Sequence, residues 1–261
     1  MHLLKRKSQH TLGHCLCAES ALLTSIHMEN GVPLSHRISP ISPAITFAIV
    51  DGCRVVGDRC YIRTNHRENL LLEKHKIIPV LRLNLDVYSP ENISFYREVK
   101  ERGYHGILLS LPHYDRRMYE CINVALDNAR TVGLFSSILY PYNDFSSTCE
   151  FFSLFQKKVD FFYLDIPLER ISFRAIENLA DVLPKQVKIH TFLGCERTKR
   201  SHALQDDFLK VINELLERVS YGCFAGMHIP IDALSWELLT CITSHYHIQK
   251  GYQTELPRFD M

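Results

Sequence analysis

Nowhere does the 261-residue chain approach the roughly 18 consecutive apolar residues that a membrane-spanning helix needs. Its start has basic residues ahead of a modest apolar run, but Glu19 interrupts that run and no small-residue cleavage pattern follows, so no signal peptide is expected. Charge of one sign is also missing. Lys and Arg number 30 and Asp and Glu 29, for a net charge of +1, so no whole-protein field draws the chain to nucleic acid or to an anionic membrane. There is no C-x-x-C pair among the nine cysteines at 15, 17, 53, 60, 121, 149, 195, 223 and 241. That odd, scattered set predicts reduced, mostly buried thiols of a cytosolic protein rather than a disulfide framework. Cys15 and Cys17 with His10 and His14 have no second ligand pair at zinc spacing. No Gly-rich phosphate loop follows any strand-like segment, which argues against an open dinucleotide-binding sheet.

What is present is a composition 46% hydrophobic and 23% charged, normal for a folded protein, at a length that one α/β barrel of roughly 250 residues would fill. Residues 1–43 show no sustained periodicity and end in the proline-rich "PLSHRISPISPA", which predicts a loosely ordered arm. From Ile45, "ITFAIV", the pair Asp51-Gly52 and "CRVVGDRCYIR" carry the pattern of a hairpin with an Asp-Gly turn. Strand-like runs then follow at 77–84, 106–111, 134–139, 160–165, 187–192 and 221–226.

Helices are expected between these runs. One begins at Ser89-Pro90 and stops at Gly103; the next begins at Asp115 and ends at Gly133. In the second, Met118, Cys121, Ile122, Ala125, Leu126 and Ala129 form one apolar stripe, and Phe208 to Val219 repeat that spacing. Eight strands alternating with about seven helices require parallel pairing with right-handed crossovers. The expectation is a TIM-like (β/α)8 barrel over residues 44–248 with an antiparallel first strand, followed by a tail at 249–261.

Function in such barrels sits at the carboxyl ends of the strands. Here those positions are Arg59 and Arg63, Asn84, Ser110, Asn143-Asp144, Asp165 and Gly194-Cys195-Glu196. The Asn143-Asp144 pair, read alone, is an ordinary helix cap.

The motifs at these positions, in order, resemble the EAL-domain family of bacterial cyclic-di-GMP phosphodiesterases over residues 45–235. "VDFFYLD" (159–165) is similar to the family's V-D-x-L-K-I-D, and "YNDFSST" stands where D-D-F-G-T-G is expected. "VVGDRCYIR" resembles V-V-G-x-E-A-L-x-R, "LGCE" resembles E-G-V-E, and "FAGMHIPIDAL" resembles the closing Q-G-Y and P-x-P-A-x-x-L stretch.

The departures carry the functional expectation. The signature glutamate, which the resemblance makes a metal ligand, is Arg59, and a second expected glutamate is Ser110. Asn143 replaces the first aspartate of the D-D pair, Tyr163 the catalytic lysine, Leu193 a glutamate and Ala225 a glutamine, while Arg63, Asn84, Asp144, Asp165 and Glu196 survive. Exchanging ligating carboxylates for a guanidinium and a hydroxyl opposes divalent-metal binding, and Tyr163 offers no positive charge to a phosphorane. The resemblance therefore implies a degenerate EAL barrel that is not an enzyme and carries no metal or cofactor. Arg59 is expected to neutralise Asp144, Asp165 and Glu196 in the barrel mouth. The resemblance extends to the stand-alone enterobacterial type that binds FlhD of the flagellar regulator FlhDC and represses flagellar genes. That reading implies a cytoplasmic protein with a protein partner and no direct contact with nucleic acid or membrane. The alternatives are a non-catalytic cyclic-di-GMP receptor using Arg63, and an active phosphodiesterase.

Overall fold

The computed structural model describes residues 24–28, 45–56, 59–62, 66–74, 77–85, 92–111, 113–165, 178, 188–192 and 226–230. In chain order the strands are β1 (Thr24–Met28), β2 (Ile45–Val50), β3 (Cys53–Val56), β4 (Arg59–Ile62), β5 (Ile78–Asn84), β6 (Gly106–Ser110), β7 (Phe135–Pro141), β8 (Phe161–Asp165), β9 (Lys188–Phe192) and β10 (Gly226–Pro230). The α-helices among the described residues are α1 (His66–Lys74), α2 (Ile93–Glu101), α3 (Tyr119–Val132) and α4 (Phe145–Phe155).

Eight of the strands close into a barrel in the order β1-β10-β9-β8-β7-β6-β5-β2. Every pairing around the ring is parallel. The α/β barrel expected from the alternating pattern is present, but its composition differs from the sequence reading in two places.

The antiparallel first strand is not in the barrel. β2 pairs in parallel with β1 and β5, and the antiparallel ladder is a separate β3-β4 hairpin with Val56 opposite Arg59. In sequence Gly57 and Asp58 stand between those strands, and a pair with Gly first is also a recognised two-residue hairpin signal. Because β3 and β4 satisfy one another, they leave the ring one strand short. β1 supplies it from within the stretch expected to be a loose arm, and its five-residue run is too brief for a periodicity reading to single out. The last strand among the described residues is Gly226–Pro230, with Gly226 opposite His190; of the run expected at 221–226, residues 221–225 lie outside the described residues.

Asp51-Gly52 is thus not a hairpin turn but the exit from β2, closed by Gly52 N–H donating to the Val50 carbonyl at 2.9 Å. A Cβ on the buried Gly52 would lie 2.5 Å from Tyr104 Oη and 2.7 Å from Leu81 Cδ1, so the backbone passes where only glycine fits.

Helix punctuation follows the sequence closely. Asp115 accepts from Arg117 N–H to start a 3-10 turn, Arg116–Met118, that runs into α3, and Gly133 ends α3 at φ +75°. Ile122, Ala125, Leu126 and Ala129 bury the expected stripe of α3. The start of α2 is set by Asn92, whose side chain accepts from Ser94 N–H; Ser89 and Pro90 lie outside the described residues, as does the 208–219 helix.

Among the described residues the barrel interior is filled by side chains. Phe47, Ile49, Val80, Leu108, Phe135, Leu139, Phe161 and Tyr163 form one buried cluster contributed by β2, β5, β6, β7 and β8. Fully burying one such side chain is worth about 1.5–3 kcal/mol, so this cluster fixes which face of each strand points inward. Outside the ring, α4 lies over β7 and β8 through stacked rings, Tyr140 on Phe151 and Phe152 on Phe162, each with centroids 4.1 Å apart.

Candidate functional site

Inward-facing residues recur every second position along a strand. Val80 and Leu108 belong to the buried cluster, so Arg82 and Asn84 on β5 and Ser110 on β6 continue the inner face toward the carboxyl ends. Tyr163 does the same for Asp165 on β8. The register agrees: Asn84 pairs with Ser110, and Asp165 with Pro141 at the end of β7. Three of the sequence candidates, Asn84, Ser110 and Asp165, therefore share the rim of one barrel mouth.

Among the described residues, the mouth holds a cation that the sequence reading passed over. Arg82 Nη2 donates to the buried Ser110 Oγ at 3.1 Å, and Arg82 Nη1 lies 3.8 Å from Asp51 Oδ1 at the exit of β2. The second contact is a loose ion pair between partly exposed groups, worth at most about 1 kcal/mol. The first fixes the guanidinium across two adjacent strands. The available signal was a lone charged residue at an inward position of "IPVLRLN", apolar up to that point.

The side chain of Arg59, the cation expected there, lies outside the described residues. Its backbone opens β4 opposite Val56 in the antiparallel β3-β4 ladder, outside the barrel sheet. The expected neutralising cluster also depended on Asp144, whose oxygens are engaged elsewhere. Asp144 is the N-cap of α4, accepting from Ser147 N–H at 2.9 Å and from Ser147 Oγ–H at 2.6 Å. The Ser147 hydroxyl and N–H hold this exposed carboxyl below the usual carboxylate range. The helix-cap reading of the Asn-Asp pair is the one realised.

Tyr163 is 2% exposed and belongs to the barrel core, below the rim and away from solvent. Asn143 is exposed after β7, and its side chain hydrogen-bonds the Tyr140 hydroxyl, whose pKa is raised chiefly by burial. Arg63 and Glu196 lie outside the described residues, as do Leu193, Gly194, Cys195 and Ala225. Among the described residues no group of three or more His, Cys, Asp or Glu side chains is placed to hold a metal ion, and no helix is long and apolar enough to cross a membrane.

No protein-family model matches this chain, and no curated protein sequence does either. Solved structures are similar in fold. The N-terminal domain of a putative aldolase from Bacteroides vulgatus superposes with a TM-score of 0.55 at 11% identity, over 90% of each chain. The carboxyl transferase domain of Rhizobium etli pyruvate carboxylase, with 3-hydroxypyruvate, gives 0.57 at 12% identity over 96% of this chain and 50% of its own. The spore cortex-lytic enzyme SleL of Bacillus megaterium QM B1551 gives 0.59 at 8% identity, over 90% of this chain and 75% of its own. At such identities the likeness shows the α/β barrel and nothing of the chemistry.

Proposed function

We propose that the chain is a catalytically inactive EAL-like barrel that acts by binding another protein. The FlhD subunit of FlhDC is the partner implied by the sequence resemblance, with repression of flagellar genes as the outcome. One observation supports the loss of hydrolysis most directly. Where the resemblance calls for a metal-binding glutamate stands Ser110, whose hydroxyl accepts from the Arg82 guanidinium at 3.1 Å. A divalent ion brought to that rim meets a fixed positive charge a few ångströms away, a repulsion of several kcal/mol at an effective dielectric of roughly 20. Use of Asp144 as a helix cap supports the same reading, since its oxygens already accept from Ser147. Purified chain mixed with FlhD and run on a size-exclusion column is expected to elute as a complex; separate elution at micromolar concentrations would remove this partner. Incubation with cyclic-di-GMP and magnesium is expected to release no linear dinucleotide.

A second reading is a cyclic-di-GMP receptor. It draws on the Arg82 side chain, 25% exposed at the rim beside the exposed Asn84, as a cationic group within reach of a phosphate. Calorimetric titration with the nucleotide separates the two, because a flat trace leaves only the protein-binding role.

A further inference from the structure

The β3-β4 hairpin leaves the barrel directly after Asp51-Gly52 and lies against β5, next to the mouth. Its register sets Cys53 opposite Ile62 and Val55 opposite Cys60. Cys53 and Cys60 are therefore diagonal neighbours on one face of the ladder, the face that also carries the buried Ile62, while Tyr61 on the other face is exposed. Their thiols hydrogen-bond each other, and both residues are half-buried rather than sealed in the core.

We propose that Cys53 and Cys60 form a dithiol site that low-molecular-weight disulfides oxidise, with Cys60 the attacking sulfur and Cys53 the resolving one. The Cys60 thiolate attacks one sulfur of a disulfide RSSR, forming a mixed disulfide and releasing RS⁻. Cys53 then gives up its proton and attacks the Cys60 sulfur, expelling the second RS⁻ and closing the Cys53–Cys60 bond. Two thiols lose two electrons in total, RSSR gains them, and the two protons pass to the released thiolates.

The assignment of roles follows from the surroundings of the two sulfurs, Cys53 standing two residues from Asp51 at the barrel exit and Cys60 on the outer strand of the hairpin. Their mutual contact, with burial, pushes the Cys53 thiol up, while the same contact holds Cys60 down. Glu98 opposes a thiolate at either sulfur, but Asp51 adds negative charge beside Cys53 alone, so its thiolate is the poorer one to form first. Diagonal residues of an antiparallel pair have Cα atoms about 7–8 Å apart, just beyond the roughly 4.4–6.8 Å of ordinary disulfides. Closing the bond therefore draws β3 and β4 together by about an ångström. That movement is applied two residues from Asp51, the ion-pair partner of Arg82.

The test uses the full chain and glutathione disulfide at mildly alkaline pH, followed by alkylation and peptide mapping. Trypsin cuts after Arg54, Arg59 and Arg63, so the bond appears as a cross-link between the peptide ending in Arg54 and the peptide Cys60–Arg63. The expected result is that cross-link as the first intramolecular product, with Cys60 modified about tenfold faster than the half-buried Cys121 and Cys149. Cys53→Ala is expected to trap the glutathione adduct on Cys60, and Cys60→Ala to leave Cys53 unmodified over the same interval. Wild-type mapping stands without either variant: mixed disulfides with no 53–60 cross-link, or Cys121 and Cys149 reacting as fast as Cys60, would overturn the proposal.

Discussion

Arg82 on β5 donates a hydrogen bond to Ser110 on β6 at 3.1 Å, tying two neighbouring strands together at the barrel mouth. The two ends of this bond are unequal. Ser110 is 5% exposed, whereas Arg82 reaches water, so removing the donor strands a buried hydroxyl and removing the acceptor does not strand the guanidinium. Arg82→Met is expected to lower stability by about 1 kcal/mol and Ser110→Ala by less, read as shifts in the urea midpoint. Equal losses would show that the hydrogen bond itself sets neither value.

Ser110→Glu bears on the metal chemistry. The new carboxylate faces a guanidinium already in place and pairs with it rather than with a free ion. Millimolar magnesium or manganese is therefore expected to leave the Tm of this variant unmoved. A metal-dependent rise would mean that the mouth can still assemble a cation site.

Asp144→Ala removes the cap of α4 and is expected to lower the Tm by a few degrees, while Asp144→Asn, which still accepts from Ser147, keeps most of it. The folded pKa of Asp144 lies below its ordinary value of 3.8, so the contribution of its charged form is complete above that value and is lost as pH falls through the folded pKa. The gap in Tm between wild type and Asp144→Ala should stay constant from neutral pH down to about pH 5 and narrow below about pH 4. A gap that widens in acid would reverse the assignment.

Gly52→Ala puts a methyl 2.5 Å from Tyr104 Oη and 2.7 Å from Leu81 Cδ1 in a buried corner. Overpacking of this kind costs about 1–3 kcal/mol. Adding Tyr104→Phe removes the nearest atom, so the double variant should be more stable than Gly52→Ala alone in a denaturant melt. Additive losses would place the strain elsewhere.

The aromatic layer beneath α4 gives the largest expected loss. Phe152 is fully buried and stacked on Phe162, so Phe152→Ala should cost about 3–5 kcal/mol and Phe152→Leu markedly less. Near-ultraviolet circular dichroism together with urea melts distinguishes a loosened α4 from global unfolding.

Much of this was legible in the chain itself. The runs at 77–84, 106–111, 134–139, 160–165 and 187–192 are barrel strands within one or two residues, because short apolar stretches between capped amphipathic helices have few other ways to bury themselves. Asp115, Gly133 and Asp144 mark helix ends because capping is a local hydrogen-bond problem that the sequence states directly.

Pairing partners were not legible. Whether "CRVVGDRCYIR" joins the ring or folds back on itself is decided by competition between a two-residue turn and a distant strand, and the turn closes at far lower entropic cost. That choice took Arg59 out of the barrel, brought Thr24–Met28 into it, and set Cys53 and Cys60 on one face. Among the described residues the mouth carries Arg82, which reads in sequence as one charged residue in a largely apolar strand. Composition and periodicity determined that this chain builds a parallel α/β barrel, since burial of apolar surface acts residue by residue. Only the tertiary structure decided which charge stands at its mouth, because that depends on strand register between residues far apart in sequence.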